Sequence, residues 1–216
     1  MQIDLRVLEL LSSKLCHDLV SPISAISNGV ELIEDIGGSV VDEAMKLIGD
    51  SSGQASRRLR LFRVAYGRAG SEDNIAVKDV RQIAMQYLAS GKINIVWPED
   101  QPLESLSSKK GSMKVLLNLL MMSEEILAYG GTVSLHSVIE EAATGCRIDI
   151  VGRSAQLTPA IQDALEGTVP IDDLTPRTIQ SYITGRFTSH FGLQLKYDQS
   201  VSDRLEITLF TAKELP

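Results

Sequence analysis

The chain has 216 residues, enough for one large or two small domains, and carries a formal net charge of -7 at pH 7. An acidic balance argues against a protein that coats nucleic acid or an anionic membrane, while leaving room for a local basic patch. Hydrophobic residues make up 44% of the chain, yet no apolar run approaches the roughly 18 residues of a membrane span and the start lacks a secretory layout, so a soluble cytoplasmic protein is expected. Cys16 and Cys146 stand far apart with no metal-ligand spacing near them, so reduced, packed thiols are expected.

From Ile3 to Ile36 the residues Leu8, Leu11, Leu15, Leu19, Ile23, Ile26, Val30 and Ile33 recur at steps of three and four, as one stripe of a helix requires. His17 lies off that stripe. Ser13, Ser21, Ser24 and Asn28 fall at helical steps from it, which sets the imidazole on a polar, wet face. With Asp18 beside it, an imidazole so placed is a candidate phosphoryl acceptor. Pro22 sits in the same helix at a cost of about 3 kcal/mol, which calls for compensation, and the carbonyl it frees is that of Asp18. Gly37-Gly38 is a stop signal.

A second stripe, Met45, Ile48, Ser52, Ala55, Leu59, Phe62 and Tyr66, runs from Val41 to about Tyr66 and turns Lys46, Asp50, Gln54, Arg57 and Arg60 outward. The two helices read as an antiparallel hairpin. A lone hairpin cannot bury both stripes, so two copies are expected to pair in a four-helix bundle; the competing arrangement packs the hairpin on the rest of the chain. Counting about 20 residues to either side of the turn brings the cluster Arg57, Arg58, Arg60 and Arg63 level with His17. With Leu59 and Phe62 inward, Arg57 and Arg60 are the pair expected to flank the imidazole and meet an acidic partner.

Gly67-Arg68-Ala69-Gly70-Ser71 reads as a linker, dividing a hairpin domain at 1–68 from a second domain at 71–216. Within the latter, helices are expected at Val77 to Leu88, Ser112 to Ala128, Thr158 to Glu166 and Thr175 to His190. Strands are expected at Ile93 to Trp97, Thr132 to Val138, Cys146 to Val151, Leu193 to Tyr197 and Arg204 to Thr211. The order is that of an α+β sandwich with helices on one face of a mixed sheet. His136 and His190 have no ligands at metal spacing around them in sequence.

Leu15-Cys16-His17-Asp18-Leu19-Val20-Ser21-Pro22-Ile23 resembles the H-box of histidine kinases, and the layout as a whole resembles their core: a dimerisation and phosphotransfer hairpin followed by a Bergerat-type ATP-binding sandwich. The resemblance implies that His17 takes the phosphoryl group, Asp18 orients its ring, Ser21 is the small polar residue of the motif and Pro22 bends the helix. At the nucleotide positions the chain departs from the kinases. Where their N-box has a magnesium-binding asparagine, Asn118-Leu119-Leu120-Met121-Met122-Ser123 has Met122, and a thioether is a poor ligand for a hard cation. Gly152-Arg153-Ser154-Ala155-Gln156 lacks the aspartate and paired glycines of the adenine site, and Thr184 to Gly192 lacks the close glycines of the phosphate lid.

A kinase-like dimer with a degenerate ATP lobe is similar to the bacterial histidine phosphotransferases of the ChpT family. That family implies a phosphorelay protein that moves phosphoryl groups between response-regulator receiver domains, with no cofactor of its own and with magnesium on the receiver. On this reading Ser13, Ser24, Arg57 and Arg60 are the residues that meet the receiver. Two other readings fit the same pattern: an ATP-dependent histidine kinase with an unusual nucleotide site, and a non-catalytic dimeric scaffold.

Overall fold

Asp4 opens the first helix, its carboxylate accepting the Arg6 amide at 2.8 Å, and α1 (Leu5–Asp35) then runs unbroken through Pro22. The structure is a computed structural model and describes residues 4–68, 75–88, 91–99, 103–140 and 143–211. Part of the expected linker, residues 69–71, lies outside them. Gly37 and Gly38, at φ of 60° and 51°, turn the chain through a short 3-10 segment (Gly38–Val40) into α2 (Val41–Ala65). The helices approach closely where Gly29 meets Ala44 and Ile48: a Cβ at Gly29 would stand 2.7 Å from the Ile48 side chain.

One hairpin covers one side of each stripe. In α1, Val7, Pro22 and Gly29 are buried while Leu8, Ile23 and Val30 are exposed. In α2, Ala44, Ser51, Ala55 and Phe62 are buried, but Met45 and Leu59, expected inward, are 57% and 54% exposed. The apolar residues left out lie about 100° round α1 and about 80° round α2 from the buried face at ~100° per residue. Cys146 is buried as expected; Cys16 is exposed.

The rest of the chain forms α3 (Val77–Leu88), β1 (Ile93–Val96), the unanticipated single turn α4 (Glu104–Ser107), α5 (Ser112–Ile126), β2 (Gly131–Glu140), β3 (Ala143–Val151), α6 (Pro159–Glu166), α7 (Ile179–His190), β4 (Leu193–Asp198) and β5 (Arg204–Thr211). The sheet order is β1-β2-β3-β5-β4, with β1 parallel to β2 and every other pair antiparallel. Strand alternation places Val133, Leu135, Cys146, Ile148, Ile150, Leu205, Ile207 and Leu209 on the helix-covered face. Ile148 pairs with Leu135 on one side and with Ile207 on the other. This is the mixed α+β sandwich expected.

Helix α5 is the centre of the lobe, and every residue from Ser112 to Ser123 is buried. A helix covered on all sides must pair each polar group it carries. Ser112 and Ser123 donate to the carbonyls of Leu106 and Leu120, both at 2.6 Å. Lys114 and Asn118 are used differently: they reach the end of α2. The Lys114 ammonium donates to the carbonyls of Gly67 at 2.7 Å and Tyr66 at 3.3 Å, and the Asn118 amide to that of Ala65 at 2.9 Å. These are carbonyls that a helix end leaves without internal partners. Leu61, Phe62, Val64 and Ala65 of α2 accordingly belong to the same core as α5, so the end of the hairpin remote from its turn is packed on the lobe.

Burial pushes the Lys114 amine down to about 8. The unfolded chain holds this proton up to the ordinary lysine range while the folded chain releases it earlier, so stability contributed at this residue rises with pH between the two values. Urea unfolding from about pH 7.5 to pH 10 is expected to show the parent gaining on Lys114→Met across that window, whereas a constant difference would mean that Lys114 titrates normally.

Candidate active site

His17 stands on the outer face of α1, its side chain 89% exposed, with Ser13, Ser21, Ser24 and Asn28 exposed on the same face. Its Nδ1 lies 3.5 Å from Asp18 Oδ1. That contact favours the tautomer with the proton on Nδ1, which leaves the Nε2 lone pair directed at solvent. Asp18 itself is far more enclosed, while the ring stays open to a partner.

Pro22 has no N–H to give the Asp18 carbonyl, and that carbonyl is taken by the Arg58 guanidinium from α2. The level across the hairpin is therefore the one expected, but the helical phase is not. With Leu59 turned out, Arg58 points at α1, whereas Arg60 reaches Gln86 Oε1 on α3 at 3.4 Å. Arg57 is partly covered and lies one residue round the helix from Arg58. The sequence places Arg58 in the cluster level with His17 but points to Arg57 and Arg60 as the flanking pair. The signal was present in Pro22, whose orphaned acceptor needs a long donor at this level.

One turn before Asp18, Lys14 crosses to the lobe and pairs with Glu125 at 2.6 Å. Burial raises the Glu125 carboxyl above the ordinary range in spite of Lys14, and its Oε2 is buried with no protein partner. The neighbouring Glu124 accepts the Tyr87 hydroxyl. Burial raises both the Tyr66 and Tyr87 phenols, with nearby carboxylates adding to the shift, so each stays protonated and acts as a donor. The segment of α1 that carries His17 is thus tied to the acidic end of α5 through Lys14.

The residues that resemble a nucleotide site are engaged elsewhere. Asn118 binds Ala65, and its Oδ1 accepts the Gln180 amide of α7 at 3.0 Å; Gln180 Oε1 in turn accepts the Tyr66 hydroxyl at 2.5 Å. Met122 is a core residue, 1% exposed. Gly152 serves close packing, since a Cβ there would stand 2.7 Å from the Gly130 carbonyl, and its loop is tied to Asp203 through the Gly152 and Ser154 amides. The stretch aligned with the phosphate lid is mostly α7, in which Gly185 lies against the Leu165 carbonyl of α6. These residues do not fit a nucleotide.

The remaining histidines sit away from His17. His136 faces Asp149 at 3.3 Å on the open side of the sheet, in a group with Arg147 and Arg204. The carboxylate comes from the neighbouring strand, which spacing along the chain could not reveal. His190 closes α7 with its ring edge-on to Phe191. Among the described residues no group of histidine, cysteine and carboxylate side chains could hold a metal, and no helix is long and apolar enough to cross a membrane.

Known proteins resemble the chain in sequence and in fold. Residues 77–202 match the family model described as histidine phosphotransferase C-terminal domain. The protein phosphotransferase ChpT of Brucella abortus (strain 2308) is 30% identical over 197 residues, 90% of each chain. A solved bacterial phosphotransferase superposes with a TM-score of 0.76 at 26% identity, covering 97% of this chain and 98% of that one.

Because Asn118 is held by Ala65 and Gln180 and Met122 is inside the core, Mg-ATP is expected to give no binding heat in calorimetry up to roughly millimolar nucleotide. A micromolar dissociation constant, or labelling of His17 by ATP alone, would restore the kinase reading.

Proposed function

The chain belongs to the ChpT-type histidine phosphotransferases, and on that premise we propose that it relays a phosphoryl group between the aspartates of two response-regulator receiver domains through His17. The observation that carries the assignment is the exposed imidazole with Nδ1 turned to Asp18 and Nε2 free. Nε2 attacks the phosphorus of an aspartyl phosphate, the N–P bond forms as the P–O bond to the aspartyl carboxylate breaks, and that carboxylate leaves with the bonding pair. The ring, still carrying its Nδ1 proton, becomes cationic, and Asp18 stabilises it. The acceptor aspartate of a second receiver reverses the step. Little else is asked of this chain, because a receiver brings its own acidic pocket and magnesium.

Ser21, one turn beyond His17, is the small polar side chain beside the attack path. Ser13 and Ser24, exposed on the same face, give the receiver a flat polar surface, and Arg57 and Arg60 are the charges that speed its approach. We assign 1–68 to phosphotransfer and dimerisation and 71–216 to the supporting lobe, in a cytoplasmic protein. The partner hairpin is a second copy: Leu8, Ile23, Val30, Met45 and Leu59 form an apolar flank that neither the hairpin nor the lobe covers, on a side of α1 away from His17.

His17→Gln is expected to abolish acid-labile labelling by a phosphorylated receiver with the circular dichroism spectrum unchanged; undiminished labelling would move the acceptor elsewhere. Leu59→Asp, which would bury a charge in the bundle, is expected to convert a dimer to a folded monomer in light scattering at roughly tens of micromolar. A parent chain that is already monomeric there would contradict the bundle.

A further inference from the structure

A proline inside a helix leaves one carbonyl unbonded, and the usual outcomes are a kink or a bound water. Here the unbonded carbonyl belongs to Asp18, the residue whose side chain meets the His17 ring, and it is bonded instead by Arg58 from the opposite helix. The connection is short: guanidinium to Asp18 carbonyl, Asp18 backbone to its own carboxylate, carboxylate to Nδ1. In the structure Arg58 hydrogen-bonds main chain and the ring's polar partner is Asp18, so the bonded path from Arg58 to the ring passes through Asp18.

We propose that Arg58 is a positioning residue for phosphoryl transfer, holding the Asp18 peptide that Pro22 releases and thereby keeping the Asp18 carboxylate on His17. The proposal rests on the reading of His17 as the phosphoryl acceptor. Pro22 and Arg58 then act as a unit. Proline removes the helix's own hydrogen bond at the one peptide that orients the nucleophile, and a side chain from the opposite helix supplies the replacement, which ties the imidazole to the packing of the hairpin.

The unit makes a prediction that neither a structural arginine nor a receiver-binding arginine shares. An alanine at position 22 has an N–H that can bond the Asp18 carbonyl directly, so Pro22→Ala should make Arg58 dispensable. The experiment compares the parent, Arg58→Met, Pro22→Ala and the double variant. For each it measures transfer from a phosphorylated receiver at limiting and saturating concentrations, with the carbonyl carbon shift of Asp18 as a second readout. Arg58→Met is expected to lower the saturated rate about tenfold and leave the half-saturating concentration within about twofold, and the same change made in the Pro22→Ala background is expected to cost less than about twofold. The Asp18 carbonyl shift should move in Arg58→Met and stay fixed between Pro22→Ala and the double variant.

An equal loss in both backgrounds would overturn the proposal in favour of direct contact with the receiver or phosphoryl group. A loss confined to half-saturation would make Arg58 a docking residue, and no loss in the parent background would leave it without a part in transfer. Should Arg58→Met fail to fold, a double variant that folds and transfers at the Pro22→Ala rate would support the proposal, and one that folds but transfers slowly would overturn it. His17→Gln is run alongside: persistent labelling there would remove the assignment of His17 and not the coupling of Arg58 to Pro22, which the carbon shift reads independently.

Discussion

The last turn of α2 ends in carbonyls that its own helix cannot satisfy, and Lys114 and Asn118 of α5 satisfy them. Much follows from that. Because both donors sit on a helix buried along its length, leaving them unpaired would be costly, and the same cost holds the hairpin to the lobe at a fixed level. The level matters for the site. Lys14 can then reach Glu125, and the helix segment that carries His17 stands on the end of α5. The proposed transfer needs an exposed ring on a packed base, and the polar joint supplies the base without covering the ring.

The joint also accounts for the altered nucleotide motifs. Asn118 opens the stretch that resembles the kinase N-box, and it is bound on one side to Ala65 and on the other to Gln180. Gln180 is in turn bonded by Tyr66, so α7 enters the space beside α5 and closes a network of three helices. Gly152 and Gly185, which resemble remnants of glycine-rich loops, are each explained by a neighbouring carbonyl that a side chain would strike. In this lobe the positions that resemble a nucleotide site are internal contacts.

Most of the fold was legible in the sequence because apolar periodicity dominates it. Every long helix and all five expected strands fall where the spacing puts them. What periodicity could not supply was which half of a broad stripe faces the chain itself. Leu59 and Ala55 both belong to the apolar face of α2, yet one is exposed and the other buried, and the choice shifts the helix phase enough to replace Arg57 and Arg60 by Arg58 beside Asp18. The pairing of His136 with Asp149 was hidden for another reason: strands that meet across a sheet carry no mark of it in their spacing. Lys114 and Asn118 read as polar interruptions of an apolar helix, and their purpose appears only when the end of α2 is placed against them.

The commitment of Asn118 to Ala65 and Gln180 has a thermodynamic side. A protein that charges its own histidine from a nucleotide drives a pathway in one direction, because each turnover dissipates the nucleotide's free energy. A chain whose corresponding residues hold its own helices together contributes no such drive, and by detailed balance it must accelerate forward and backward exchange alike. On the proposed relay through His17, the direction of flow belongs to the relative abundance of phosphorylated and free receivers on either side, so the same molecule would fill a regulator when donors prevail and empty it when they are withdrawn.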